Sequence, residues 1–305
     1  MKMTPKEAFE AVQKEVARKV AGYDEIVKQM FIAIVADGHI LLEGAPGLAK
    51  TTTSKAVADT FGAEFGRTQG TADLKINDII GFAYLDDLTK EVKVKKGPIF
   101  TNIFLIDELN RMPPMTVTSM LQSLEEKEVT IGAVTFKLPK PFIAFATQNP
   151  LNIEGTIALP KVLTDRFLMR IGMNYAASDV EENMIRIKER GDDVKTEKVL
   201  DMGDVLELQE MAKKVTMSDD IVKLIVGIVQ ATRKDIHVVM GGSPRSEISF
   251  MKCAKAKALI EGRNQVSVDD IKYLARPVLS HRIAVRASGG LGVNGIIDGI
   301  VATIR

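Results

Sequence analysis

Apolar residues follow two rhythms along this chain, one helical and one of short continuous runs. Phe9, Val12, Val16 and Val20 fall on one helical face. Thr4, Pro5 and Glu7 predict the start of that helix as N-cap, first helical residue and capping-box acid, and Gly22 ends it. Glu25 to Asp37 predicts a second helix, apolar at Ile26, Val27, Met30, Phe31, Ile34 and Val35 and stopped by Gly38.

Short apolar runs then alternate with helical patterns. His39–Leu42, Glu64–Thr68, Ile103–Ile106, Phe142–Thr147 and Phe167–Ile171 read as strands. Phe104-Leu105-Ile106 and Phe142-Ile143-Ala144-Phe145-Ala146 are apolar on both faces, as strands covered on both sides of a parallel sheet must be. Lys50–Thr60 and Pro114–Lys127 are the intervening helices, giving an α/β layout with a five-stranded, mostly parallel sheet sandwiched by helices. Two segments break the alternation: Phe82–Phe100 and Val129–Leu138 each predict a hairpin. Beyond Ser178 the strand signal fades. Asp179–Glu189, Val205–Lys214, Asp219–Arg233, Ser246–Glu261 and Ser267–Ala275 read as helices. A change of character near Gly191–Leu200 places a domain edge there, so the expected division is a core over residues 1–190 and a smaller all-α domain over 191–305.

Composition narrows the class. The chain of 305 residues is 46% hydrophobic and 27% charged, as in a globular protein with an ample core. Forty-one Lys and Arg nearly cancel forty Asp and Glu, so no global basic field draws it to nucleic acid. Cys253 is the only cysteine, and His39, His237 and His281 lie far apart, with none of the spacings of a zinc site. No run approaches the roughly 20 apolar residues of a membrane span. A cytoplasmic location is the expectation.

The chemistry is concentrated at strand ends. His39–Leu42 runs into Gly44-Ala45-Pro46-Gly47-Leu48-Ala49-Lys50-Thr51, and Lys50-Thr51-Thr52 opens a helix. Backbone N–H groups of such a loop converge on an anion, and the helix N-terminus adds partial positive charge. Lys50 would reach the β- and γ-phosphates of a nucleotide and Thr51 would coordinate Mg²⁺. Ala49 stands where the general pattern has Gly. The strand Ile103–Ile106 ends in Asp107-Glu108, placed for a Mg²⁺-holding acid and for an acid that orients or deprotonates the attacking water. Ala146-Thr147-Gln148-Asn149-Pro150 ends another strand on an amide, although Asn before Pro is also an ordinary turn signal. Arg166 precedes the last strand and Arg245 starts a lid helix. Either guanidinium could stabilise charge on a transferring phosphoryl group, or form a plain ion pair, as Arg166 could with Asp165.

Taken together these residues resemble the AAA+ ATPases, and within them the MoxR family. The similarity spans most of the chain. It rests on Gly38–Thr51, where Ala before the Lys is usual for that family; on Lys96–Asn102; and on Asp107-Glu108-Leu109-Asn110-Arg111-Met112-Pro113-Pro114. Glu125-Glu126, Val129-Thr130, Ala146–Pro150, Glu154-Gly155-Thr156, Leu163–Met169, Ser243-Pro244-Arg245 and Pro277–Arg282 extend it. The resemblance implies an ATP-hydrolysing core with a helical lid, working with Mg²⁺ in rings that are usually hexameric. It assigns Asn149 as sensor 1, Arg166 as an arginine finger given in trans and Arg245 as sensor 2. It places adenine near Gly22-Tyr23, Tyr23 standing where the family often has Gln. It also implies chaperone-like remodelling of a protein client, often alongside proteins with a von Willebrand factor A domain and sometimes in metal-cofactor insertion. A nucleic-acid motor or loader shares the same catalytic motifs, with Lys90, Lys93, Lys95 and Lys96 as a conceivable basic pore loop. A nucleotide-gated scaffold that barely hydrolyses is the third reading, against which Glu108 stands.

Overall fold

A computed structural model of the chain describes residues 2–149, 159–175, 178–189, 195–286 and 292–304. The expected domain edge at 190/191 and the Glu154-Gly155-Thr156 segment lie outside them. In chain order the strands are β1 (Ile40–Glu43), β2 (Phe65–Gln69), β3 (Gly81–Leu85), β4 (Val92–Lys96), β5 (Ile103–Asp107), β6 (Glu128–Ile131), β7 (Val134–Lys137), β8 (Ile143–Gln148), β9 (Met169–Gly172), β10 (Val238–Met240) and β11 (Ala284–Val285). The last two pair antiparallel, so the second domain, expected to be all-α, carries one short ladder among its helices.

Five of the strands form one parallel sheet in the order β2-β5-β8-β1-β9. Alternation along the strands gives each face its own core. Ile40, Leu42, Leu105, Phe145 and Ile171 pack with the helices Pro5–Lys19, Asp24–Val35 and Lys50–Thr60, and with the lid. Leu41, Phe104, Ile106, Ala144 and Ala146 face the helix Pro114–Glu126. Because β8 lies between β1 and β5, three strand ends open side by side on the carboxyl edge of the sheet, where ligands bind in open α/β sheets.

The first helix carries the expected capping box between Thr4 and Glu7. Both predicted hairpins form, as β3–β4 and β6–β7. A five-residue helix, Ile76–Ile80, leads into the first of them without a sequence signal strong enough to predict it. The last sheet strand starts at Met169 rather than Phe167, because Phe167 and Leu168 complete the turn after the short helix Lys161–Thr164. The lid contains helices Met202–Lys214, Asp219–Lys234, Pro244–Ile260 and Val268–Leu279. The last of these runs past the expected end at Ala275 and through Pro277, since Val278 and Leu279 are buried in the shared core. A C-terminal helix, Val293–Ala302, was hidden by Gly295 and Gly299, which lower helix propensity, but Ile296 and Ile297 anchor it.

Arg282 fixes the lid to the core. Its buried guanidinium donates to Asp165 Oδ1 at 2.9 Å, to the carbonyls of Phe167 and Leu168 at 2.7 and 3.2 Å, and to Ser249 Oγ at 2.9 Å. A charge that is both paired and hydrogen-bonded is the form in which burial is tolerated.

Candidate active site

The phosphate loop leaves β1 at Glu43 and returns as the helix Lys50–Thr60. Gly47 has φ 84°, a left-handed backbone that glycine adopts freely. Ala49 also lies in the left-handed region, at φ 54° and ψ 24°, as the N-cap of the helix. A Cβ on Gly47 would meet no atom within 4 Å, so the outer side of the loop is open. Pro46, Gly47 and Thr52 are exposed, whereas Leu48 is buried and anchors the loop to the core. Lys50 Nζ folds back onto the carbonyls of Gly44 and Ala45 at 2.6 and 2.8 Å. Burial lowers its pKa, while the charges of Asp107 and Glu108 oppose that fall.

Asp107 ends β5 beside the loop. Thr51 Oγ1 donates to Asp107 Oδ2 at 2.9 Å, and Thr147 Oγ1 donates to Oδ1 at 2.7 Å. Arg67, on the neighbouring β2, donates to Oδ2 at 2.9 Å. The hydroxyl of Thr51 and the carboxylate of Asp107 are hard oxygen ligands already side by side, which fits Mg²⁺ held by few protein groups and completed by phosphate and water.

Glu108 takes φ 54° and ψ 51°, a second non-glycine residue in the left-handed region. Its N–H donates to Thr147 Oγ1 at 2.9 Å. Gln69 Nε2 donates to Glu108 Oε2 at 3.0 Å, and Arg111 Nε lies 3.2 Å from the same oxygen. Asn110 Nδ2 donates to the carbonyl of Asn149 at 3.2 Å, tying the segment after β5 to the end of β8. The structure thus brings together Lys50, Thr51, Asp107, Glu108 and Asn149. Sequence reading missed Arg67, Gln69, Arg111 and Thr147, which support the acids. Gln69 and Thr147 could have been found from the order of the strands, since both sit at strand ends flanking Asp107.

A cavity of about 620 Å³ adjoins the loop. Gly44, Ala45 and Leu48 line it from the loop, Glu25 and Gln29 from the second helix, and Tyr273, Arg276 and Ser280 from the lid. Its size is that of a cofactor site. Gly22 and Tyr23 are not among its lining residues; a Cβ on Gly22 would come within 2.4 Å of Val180, and the Tyr23 side chain is buried. Arg276, which sequence reading passed over, is the lid arginine at this cavity, and Asp298 holds it through a hydrogen bond to Nε at 2.6 Å.

Arg166 and Arg245 lie elsewhere. Arg166 NH1 is 2.5 Å from Glu125 Oε2, and Arg245 NH2 donates to the other oxygen of the same acid. Glu125 is in the last turn of its helix, next to Leu124, whose carbonyl accepts from His39 at the start of β1. Leu168 N–H likewise donates to the His39 carbonyl at 2.8 Å. The two arginines therefore sit at the amino edge of the sheet. The phosphate loop is at the other edge, about 13 Å away along a four-residue strand.

This fold and this strand-end constellation define a phosphate-loop nucleoside triphosphatase with a helical lid. The ATPase family associated with various cellular activities (AAA) matches residues 39–169, and the AAA lid domain matches residues 230–291. Chaperone MoxR1 of Mycobacterium tuberculosis is 36% identical over 89% of this chain and 74% of its own. The uncharacterised YeaC of Bacillus subtilis is 37% identical over 96% of this chain and 92% of its own. A solved structure from Cytophaga hutchinsonii, described as an ATPase, superposes with a TM-score of 0.90 at 35% identity, covering 99% of this chain and 95% of that one. The chain belongs to the MoxR family of AAA+ ATPases.

Proposed function

We propose that this ATPase hydrolyses MgATP between neighbouring subunits of a ring, hexameric as in its family, to remodel a protein client. The observation that carries the reading is the Thr51–Asp107 hydrogen bond, 2.9 Å long, with Glu108 next in sequence and Lys50 in the same loop. Lys50 and the loop amides bind the phosphates, Thr51 and Asp107 hold Mg²⁺, and Glu108 orients and deprotonates water. Asn149 senses the γ-phosphate. Arg166 and Arg245 share Glu125 at the far edge of the sheet, so each would act on the nucleotide of a neighbour. Removing the base is tested with Glu108→Gln, which should keep ATP affinity and lower turnover by roughly 10²–10⁴-fold. Equal turnover in the two proteins would refute the role.

A protein client is favoured over nucleic acid by the β3–β4 hairpin. Its lysines are engaged locally: Lys90 with Asp87, Lys93 with Asp86, Lys95 over Phe82, and Lys96 over Phe100 and Phe136. Beside these engaged lysines the hairpin presents apolar side chains to solvent, with Leu88 95% and Val92 72% accessible. The family resemblance supports a partner carrying a von Willebrand factor A domain, often found alongside its members, or a client awaiting a metal cofactor, as in some of them, and a cytoplasmic setting suits either. MoxR1 carries the name of a chaperone. Among the described residues no helix is long and apolar enough to cross a membrane.

A further inference from the structure

We propose that Glu43 is a positioning residue that couples the occupied phosphate loop to the two arginines offered to the next subunit. Glu43 is the last residue of β1 and immediately precedes Gly44. Its carboxylate accepts from Gln148 Nε2 at 2.5 Å, one residue before Asn149, and from Arg170 NH1 at 3.1 Å. Arg170, on the edge strand β9, donates from Nε to Ser280 Oγ of the lid at 3.0 Å. The segment Ser280–Arg282 then runs beside β9 towards the amino edge. The carbonyl of Phe167 lies 3.0 Å from His281 Nε2, and Arg282 Nε donates to Asp165 Oδ1 at 2.9 Å. Asp165 precedes Arg166 and also accepts from Ser243 Oγ at 3.2 Å, with Arg245 NH1 3.9 Å from the same carboxylate oxygen. Polar contacts joined by the Ser280–Arg282 and Asp165–Arg166 backbone therefore cross the molecule from the end of the phosphate-loop strand to Arg166 and Arg245.

Charge makes Glu43 the joint. Arg170 pairs with it, and its field extends to Lys161: burial lowers the pKa of Lys161, the charge of Arg170 lowers it further, and Glu43 opposes both. Without the carboxylate Arg170 loses its ion-pair partner and Gln148 loses its acceptor. A shift of the strand end when Asn149 meets a γ-phosphate would pass through Gln148 to Glu43 and on to the lid. Coupling between sites is a free-energy difference carried by such an element, and typical values change affinity or rate by about 5–150-fold.

The inference rests on the reading that neighbours exchange Arg166. The test compares wild type, Glu43→Gln, Glu43→Asp and Ser280→Ala as full chains, measuring steady-state turnover against ATP concentration together with binding of a fluorescent ATP analogue. Wild type should hydrolyse cooperatively. Glu43→Gln and Ser280→Ala should each bring the Hill coefficient to about 1 and lower turnover at least about fivefold even where the analogue saturates the loop, with Glu43→Asp restoring part of the cooperativity. Non-cooperative wild type would overturn the inference. So would variants that lose thermal stability and turnover together but keep the wild-type Hill coefficient. Mixing Arg166→Ala with Lys50→Ala subunits separates the two claims: no restored hydrolysis sinks the shared-site reading, whereas restored hydrolysis with unchanged cooperativity in Glu43→Gln sinks this inference alone.

Discussion

At the two positions that close the catalytic edge, Ala49 and Glu108, the backbone adopts a conformation that L-residues avoid, both with φ 54°. A Cβ in this region costs about 1–2 kcal/mol, and such cost persists where the surroundings determine the geometry. At Ala49 the turn aims the first helical amides into the loop. At Glu108 it turns the chain sharply after Asp107, so that Asp107 reaches Thr51 while Glu108 reaches Gln69. The two sites differ in what the side chain does. Ala49 contributes only a methyl group, so Ala49→Gly should stabilise the protein by about 1 kcal/mol and raise its melting temperature by about 2 °C, with turnover retained. Differential scanning calorimetry decides it, and a lower melting temperature would mean that the methyl group's packing outweighs the backbone term.

His39 shows how a single side chain binds elements together. The Ala144 N–H donates to Nδ1 at 3.0 Å, so Nε2 carries the proton and donates to the Leu124 carbonyl at 3.0 Å. One neutral ring thus joins β1, β8 and the end of the helix Pro114–Glu126. Burial pushes its pKa down to about 4, outweighing the Leu124 carbonyl, which favours the protonated ring. In the unfolded chain it titrates near 6.5, so on acidification the unfolded state takes up the proton first. Stability should therefore fall from pH 6.5 to about 4, by roughly 3 kcal/mol for this ring, and buried His281 acts in the same direction. Glu261 and Asp270 follow at lower pH. Burial alone would raise their pKa, but hydrogen bonds from Lys257 and Arg263 hold both at about 2, so their contribution is lost as pH falls towards that value. Urea unfolding at several pH values should give His39→Gln a lower midpoint than wild type at pH 7.5 but a flatter loss between pH 6.5 and 5. Parallel curves would exclude His39 as a source of the slope.

The same scale explains what the sequence made legible. The five strands of the sheet, both hairpins and the phosphate loop could be read because strand ends, glycines and doubly apolar runs are local signals. Their lateral order was not local: that β8 separates β1 from β5 depends on non-adjacent pairing, and with it the roles of Thr147 and Gln69 stayed hidden. His39 read as an isolated histidine for the same reason, since its partners are Leu124 and Ala144. The strand–loop–helix context places Ala49 in the loop, but only family resemblance makes it a supporting feature rather than a departure from Gly, because Ala in a left-handed position carries no signal of its own.

On the scale of the molecule, the lid and the core divide the work of one site between two edges. Tyr273, Arg276 and Ser280 of the lid line the cavity beside this chain's own phosphate loop. Arg245 of the same lid sits with Arg166 at the opposite edge, where both share Glu125. On the proposed reading, a subunit that carries a complete loop draws the Arg166 and Arg245 guanidinium groups from a neighbour, because its own pair lies at the far edge of the sheet. Such groups, supplied by a neighbour, raise turnover by about 10³–10⁵-fold where they have been compared. The central claim is therefore tested most directly by steady-state ATP hydrolysis in mixtures of two inactive proteins, Arg166→Ala and Lys50→Ala. Each alone should be near background, and an equimolar mixture should regain clear turnover, because intact loops then meet intact arginines. Mixtures that stay at background in every proportion, while light scattering shows mixed assemblies, would contradict it.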